Sequence, residues 1–194
     1  KALEAVGDAN WSVGSDAIGW TNNIFLNLSL AASGGSGAWN NTAPSDTQMV
    51  FSIGSDRDND TAYIAYCFAK TPGLIATGGY TGNNSSDGPV IVVDDGAAGF
   101  RPAWVMIKRT DSGGEWNISD NVRDPDNPVR LILQANSAAG TWDATTRDVD
   151  WLANGFKLRS NHVDFNTTNG EYIYLAFAEN PFGGDGVAQA KGRP

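Results

Sequence analysis

The sequence predicts an all-β protein, a two-sheet sandwich of jelly-roll or lectin-like type built from two homologous halves. Three observations carry this. A strand motif occurs twice: Tyr63-Ile64-Ala65-Tyr66-Cys67-Phe68-Ala69, closed by Pro72, and Tyr172-Ile173-Tyr174-Leu175-Ala176-Phe177-Ala178, closed by Pro181. Gly accounts for 23 of 194 residues, and Asn, Asp, Ser and Thr are frequent; these are the residues that turns between short strands require. No stretch carries an apolar helical stripe with caps.

The twin motifs come first because their phase agrees. Side chains on a strand alternate between faces. Ile64, Tyr66 and Phe68 therefore match Ile173, Leu175 and Phe177 on one face. Ala65, Cys67 and Ala69 match Tyr174, Ala176 and Ala178 on the other. Neither face is charged, so both copies are expected to be central strands covered on both sides. Proline cannot donate to a ladder and ends each copy.

The rest of the chain follows the same order twice. Trp11-Ser12-Val13 corresponds to Trp116-Asn117-Ile118, and Ile24-Phe25-Leu26-Asn27-Leu28 to Val129-Arg130-Leu131-Ile132-Leu133. The small-residue loop before Trp39 corresponds to the one before Trp142, and Met49-Val50-Phe51-Ser52-Ile53 to Gly155-Phe156-Lys157-Leu158. The strand Pro102-Ala103-Trp104-Val105-Met106-Ile107 has no counterpart ahead of Trp11. A further N-terminal portion is therefore expected before Lys1 in the natural protein. Two copies are too few for a solenoid. The expected division is a first half at 1–73, N-terminally incomplete, and a connecting β segment at 74–97. A second half follows at 98–183, with a Gly-rich tail at 184–194 placed loosely on the surface. One shared core is expected, because each half offers few strands alone.

Charge narrows the partners. Thirteen basic residues are scattered among 22 acidic ones, giving a net charge of −9. Phosphate backbones need clustered Lys and Arg, so nucleic acid is not an expected partner, nor is an anionic membrane. No apolar run reaches the roughly 18 residues of a membrane-spanning helix, so no membrane insertion is expected. Cys67 is the one cysteine, which excludes an intramolecular disulfide. Its alignment with Ala176 reads as a small buried residue.

The search for chemistry assigns no catalytic residue. A Ser-His-Asp or Cys-His arrangement would have to use His162, the one histidine, which reads as a solvated loop residue. There is no Gly-x-Ser-x-Gly elbow and no phosphate-binding Gly-rich loop ending in Lys-Ser/Thr. One Cys and one His do not make a closed zinc site. The acids fall in turns such as Asp94-Asp95 and Asp124-Pro125-Asp126, where Asp caps backbone groups without catalysis. A glycosidase pair of carboxylates is therefore disfavoured.

Two binding sites are candidates. In Asp56-Arg57-Asp58-Asn59-Asp60, alternating carboxylates offer hard oxygens, so Asp56, Asp58 and Asp60 are candidate calcium ligands. The Gly and late Glu of an EF-hand are missing, and the stretch also reads as a plain hairpin turn. No other cofactor is expected. The chain has seven Trp, and flat aromatics stack on the apolar faces of sugars. Repetition of Trp11 with Trp116 and of Trp39 with Trp142 favours packing. Trp20 lies in a loop-like stretch and is the best placed to face a ligand. Trp20, Trp39 and Trp142 are the candidate ligand-binding residues.

The string Gly99-Phe100-Arg101-Pro102-Ala103-Trp104-Val105-Met106-Ile107-Lys108-Arg109-Thr110 resembles a recurrent motif of tailed-bacteriophage structural proteins, chiefly the C-terminal repeat domains of tail-fibre-like proteins. Asn154-Gly155-Phe156-Lys157-Leu158 and Tyr172-Ile173-Tyr174-Leu175-Ala176-Phe177-Ala178 are similar to two more. The resemblance runs from about Trp11 to Phe182 and brings no catalytic residues. It implies a non-enzymatic virion structural protein, a tail fibre or spike module in the extracellular particle. Such modules associate with copies of themselves, a trimer being favoured, and with other virion proteins, and they attach to a host surface glycan or protein. The alternatives are a capsid-decorating or head-fibre protein, or a carbohydrate-binding lectin module. In so β-rich a chain, self-association or a neighbour is expected to cover at least one sheet edge.

Overall fold

The computed structural model describes residues 10–35, 37–45, 48, 50–55 and 62–181. Its first strands are short: β1 (Ser12–Val13), β2 (Asn22–Phe25) and β3 (Ser33–Gly34). The larger part comprises β4 (Ile75–Thr81), β5 (Val90–Val92), β6 (Pro102–Arg109), β7 (Asn117–Asp120), β8 (Leu131–Gln134), β9 (Trp142–Asp143), β10 (Val149–Leu152), β11 (Gly155–Leu158) and β12 (Glu171–Ala178). One helical turn, α1 (Val163–Asn166), interrupts them. The chain is nearly all-β, and among the described residues every strand pairing is antiparallel.

A six-stranded sheet in the order β4-β12-β6-β7-β8-β9 is the centre. Its middle strands alternate cleanly. Tyr172, Tyr174 and Ala176 of β12, with Val105 and Ile107 of β6, face one side. There the sheet β10-β11-β5 covers them through Ile91, Val149, Trp151, Phe156 and Leu158. On the opposite side Ile173 meets Ile24 and Trp116, with Val13 and Leu26 packed around them. Burying a large apolar side chain stabilises by about 1.5–3 kcal/mol, and the first of these two clusters holds most of the buried residues.

The tyrosines of β12 and β4 also serve as anchors. Tyr172 Oη donates to Val163 O at 2.7 Å and accepts from Thr167 N at 2.9 Å. Tyr80 Oη donates to Phe165 O at 2.8 Å. These bonds seat α1 on the sheet, because a buried phenol needs a partner for its hydroxyl.

The second-half expectations match this layout. Pro102-Ile107 is the start of β6, Gly155-Leu158 is β11, and the second twin is β12. The first twin differs. Residues 62–70 form no multi-residue ladder among the described residues. Tyr66 is 66 % exposed and Phe68 49 %. Cys67 is exposed rather than buried. The physical reason is the neighbours: β12 lies between β4 and β6 with both faces covered, whereas no strand of the described residues flanks 62–70. Phe68 instead rests edge-on against Phe177 at 5.8 Å, and Tyr66 stacks on Trp11 at 6.2 Å. Likewise Val50, Phe51 and Ile53 are exposed. The connecting segment, read as short β-like pieces, supplies the long edge strand β4.

Candidate functional site

The site is built by a turn that settles on β4. Ile18 N donates to Ser15 O and Gly19 N to Asp16 O, both at 3.2 Å. Gly19 lies at φ +72°, a left-handed conformation that a residue with a Cβ adopts at a cost. Asp16 Oδ1 accepts from Trp20 Nε1 at 2.7 Å and braces the turn. The turn sits over the glycine pair of β4: a Cβ on Gly79 would lie 3.2 Å from Ala17 Cβ. Glycine inside a strand marks such a close approach.

Two hollows flank Ala17. The larger, about 530 Å³, lies between Ile18, Asn22 and Ala32 on one wall and Gly79, Thr81, Thr110, Asp111 and Glu171 on the other. The smaller, about 240 Å³, is lined by Ser15, Asp16, Lys70, Thr77 and Asp94. In it Lys70 Nζ meets Asp94 Oδ2 at 2.5 Å. This bond holds the Asp94 carboxyl below the usual carboxylate range.

The polar groups of the larger cleft are held in place. Thr81 and Glu171 are opposite one another in the β4–β12 register, and Thr81 Oγ1 donates to Glu171 Oε1 at 3.1 Å. Arg109 grips Asp111 with Nε to Oδ1 at 2.8 Å and Nη2 to Oδ2 at 3.0 Å. That bidentate bond keeps the Asp111 carboxyl low and the guanidinium high. Glu171 N donates to Asp111 Oδ1 at 3.2 Å, and Thr110 Oγ1 to Glu171 O at 3.1 Å. Asn22 Nδ2 donates to Ile18 O at 2.5 Å. Nearby on β6, Lys108 is fully buried. Its Nζ donates to Arg109 O at 2.8 Å and Ser29 O at 3.4 Å. Burial brings this amine down to about 8.

The expected site residues do not converge. Trp20 and Trp39 meet edge-on, centroids 5.7 Å apart, and Trp39 Nε1 is buried with no hydrogen-bond partner. Trp142 is on β9, the far edge of the six-stranded sheet from β4, five strand spacings or roughly 24 Å away. Its ring lies under the Arg147 guanidinium, 5.7 Å from the centroid. Asp56, Asp58 and Asp60 lie outside the described residues. Among the described residues no group of three or more His, Cys, Asp or Glu is placed to hold a metal.

His162 is half-buried and caps α1, rather than being a solvated loop residue; its Nδ1 accepts from Asp164 N at 3.1 Å. Burial, aided by Arg147, lowers its pKa. Asp95 and Asp124 do brace turns. Asp95 accepts from Gly73 N, Ala97 N and Gly99 N, and Asp124 from Arg130 N and Leu131 N.

Sequence reasoning missed Asn22, Thr81, Asp111 and Glu171. No motif contains them, and their meeting depends on strand register. The available signal was Gly78-Gly79 inside a strand-like stretch.

Fold and site together define an antiparallel all-β protein with a surface cleft of hydrogen-bonding side chains. Residues 3–181 match the model of the family described as a domain of unknown function (DUF7483). The chain belongs to that family. No curated protein and no solved structure matches it.

Proposed function

We propose that the chain is a non-enzymatic bacteriophage virion structural protein, a tail fibre or spike module that takes part in host-surface attachment. One observation carries the reading. The string Gly99 to Thr110, on which the phage resemblance rests, forms the turn and central strand β6 and ends in the cleft wall at Thr110. The resembling motif thus builds the scaffold of a surface suited to recognition. The jelly-roll or lectin-like sandwich with two homologous halves remains our reading of the fold class, supported by the repeated motifs in the sequence. Phe51, Ile53, Tyr66 and Phe68 are exposed large apolar side chains, and their number supports self-association that would cover them. A trimer in contact with other virion proteins is the favoured assembly.

The test is to image intact particles with and without a label on this chain. Three copies at a tail tip support the fibre reading. Copies spread over the capsid replace it with a decorating role. Absence from particles overturns the virion reading and leaves the lectin alternative, in which glycan binding depends on calcium at Asp56, Asp58 and Asp60.

A further inference from the structure

We propose that the cleft between the Ala17-Ile18 turn and the paired residues Thr81 and Glu171 is a binding site for a neutral polyhydroxylated ligand, a mono- or disaccharide unit. The proposal deepens the attachment reading and rests on it for the source of the sugar. Its volume, about 530 Å³, falls within the range of roughly 300–1,000 Å³ typical of small-ligand clefts.

The chemistry of the rim selects the ligand. Carboxylate oxygens accept and do not donate. Glu171 Oε1 is engaged by Thr81, while Oε2 has no partner among the described residues. Asp111 Oδ2 receives one bond, from Arg109, and keeps a lone pair. Asn22 donates through Nδ2, which leaves its Oδ1 as an acceptor. The Thr81 hydroxyl spends its proton on Glu171 and retains both lone pairs. The rim therefore offers acceptors in excess and suits a ligand rich in O–H donors. Hydrogen bonds to a charged acceptor are the stronger kind.

Charge and shape exclude alternatives. Arg109 and Asp111 neutralise one another, and the Lys108 ammonium is buried on backbone carbonyls, so Glu171 is the rim charge without a cationic partner among the described residues. Phosphorylated or carboxylated sugars are repelled. Ile18, Ala32 and the bare backbone of Gly79 supply an apolar strip on which C–H faces can lie. A cation would have no use for that strip. Because the side chains are already tied to one another, little ordering opposes binding.

The experiment titrates the ¹⁵N-labelled 194-residue chain with methyl glycosides of glucose, galactose, mannose and N-acetylglucosamine and with lactose, cellobiose and maltose. Sialic acid, glucose 6-phosphate and calcium chloride serve as controls. The expected result is amide shifts at Asn22, Gly79, Thr81, Asp111 and Glu171 with at least one neutral sugar. Glu171→Ala and Thr81→Val should each weaken that binding about tenfold while keeping native spectral dispersion.

Silence toward every neutral sugar overturns the proposal. So do shifts centred on Trp20 and Trp39 or on Trp142, tighter binding of the anionic sugars or of calcium, and unaltered affinity in both variants. The two readings fail separately. Sugar binding in the cleft by a chain absent from particles sinks the virion reading alone. A particle-borne chain with a silent cleft sinks this one alone.

Discussion

Trp20 and Trp39 stand at 86° to one another with ring centroids 5.7 Å apart, and both pack over Gly14. A Cβ on Gly14 would sit 2.5 Å from Trp20 Cζ3 and 2.9 Å from Trp39 Cε2. Gly14→Ala should therefore force the rings apart and destabilise the fold by about 1–3 kcal/mol, as overpacking does. Near-ultraviolet circular dichroism and the urea midpoint read this together. An unchanged spectrum and midpoint would show that the rings do not meet.

A buried and an exposed phenylalanine give a paired test. Phe156 of β11 is fully buried, and Phe156→Ala should cost about 3–5 kcal/mol. Phe68 is half exposed, so Phe68→Ala should cost about 1 kcal/mol or less, near the surface range. Equal losses would place Phe68 in a core.

Cys67 offers a chemical readout of the same segment. An exposed thiol reacts without unfolding. The native chain should titrate with one equivalent of a chromogenic disulfide reagent, at a rate within about tenfold of the urea-denatured chain. Protection until denaturation would restore the buried assignment.

Tyr172→Phe should remove the hydroxyl that serves Val163 O and Thr167 N. Two half-buried backbone groups then lose their partner, a loss of about 1 kcal/mol. Amide exchange should accelerate first around α1. Uniform acceleration across the sheet would assign Tyr172 a global role instead.

Lys108 sets a pH dependence. Burial lowers its folded-state pKa to about 8, against about 10.4 in an unfolded chain. Between these values the unfolded state binds more protons, so stability rises with pH. The penalty for a buried ammonium is full below about pH 8 and is relieved above it. Urea midpoints from pH 7.5 to 10 should therefore climb in the native chain relative to Lys108→Met. Parallel curves would mean that the amine titrates normally. Above this window the buried Tyr80, Tyr172 and Tyr174, whose pKa values burial raises, begin to oppose folding.

Much of the second half was legible because its strands carry their own signals. Gly155-Phe156-Lys157-Leu158 alternates, is bounded by a turn, and is β11 residue for residue. Tyr172 to Ala178 is apolar on both faces and is central. The same pattern misled at residues 62–70, because periodicity reports what a segment could bury and not what lies beside it. Asp95 could be read as a turn cap, since its bond from Ala97 N is a local Asx turn, while Asp124 braces its loop through Arg130 N and Leu131 N further on.

The cleft was not legible. Asn22, Thr81, Asp111 and Glu171 come from four parts of the chain: the β4–β12 and β12–β6 registers bring Thr81, Glu171 and the end of β6 together, and Asn22 arrives with the turn that settles on β4. The sequence by itself determined the strand periodicity, the turn chemistry and the acidic balance, because each is set by neighbouring residues or by a sum over them. Tertiary structure decided which twin became a central strand, where Trp20 settled, and that Thr81 faces Glu171. Those depend on non-local pairing, in which a one-residue slip would turn every side chain to the other face.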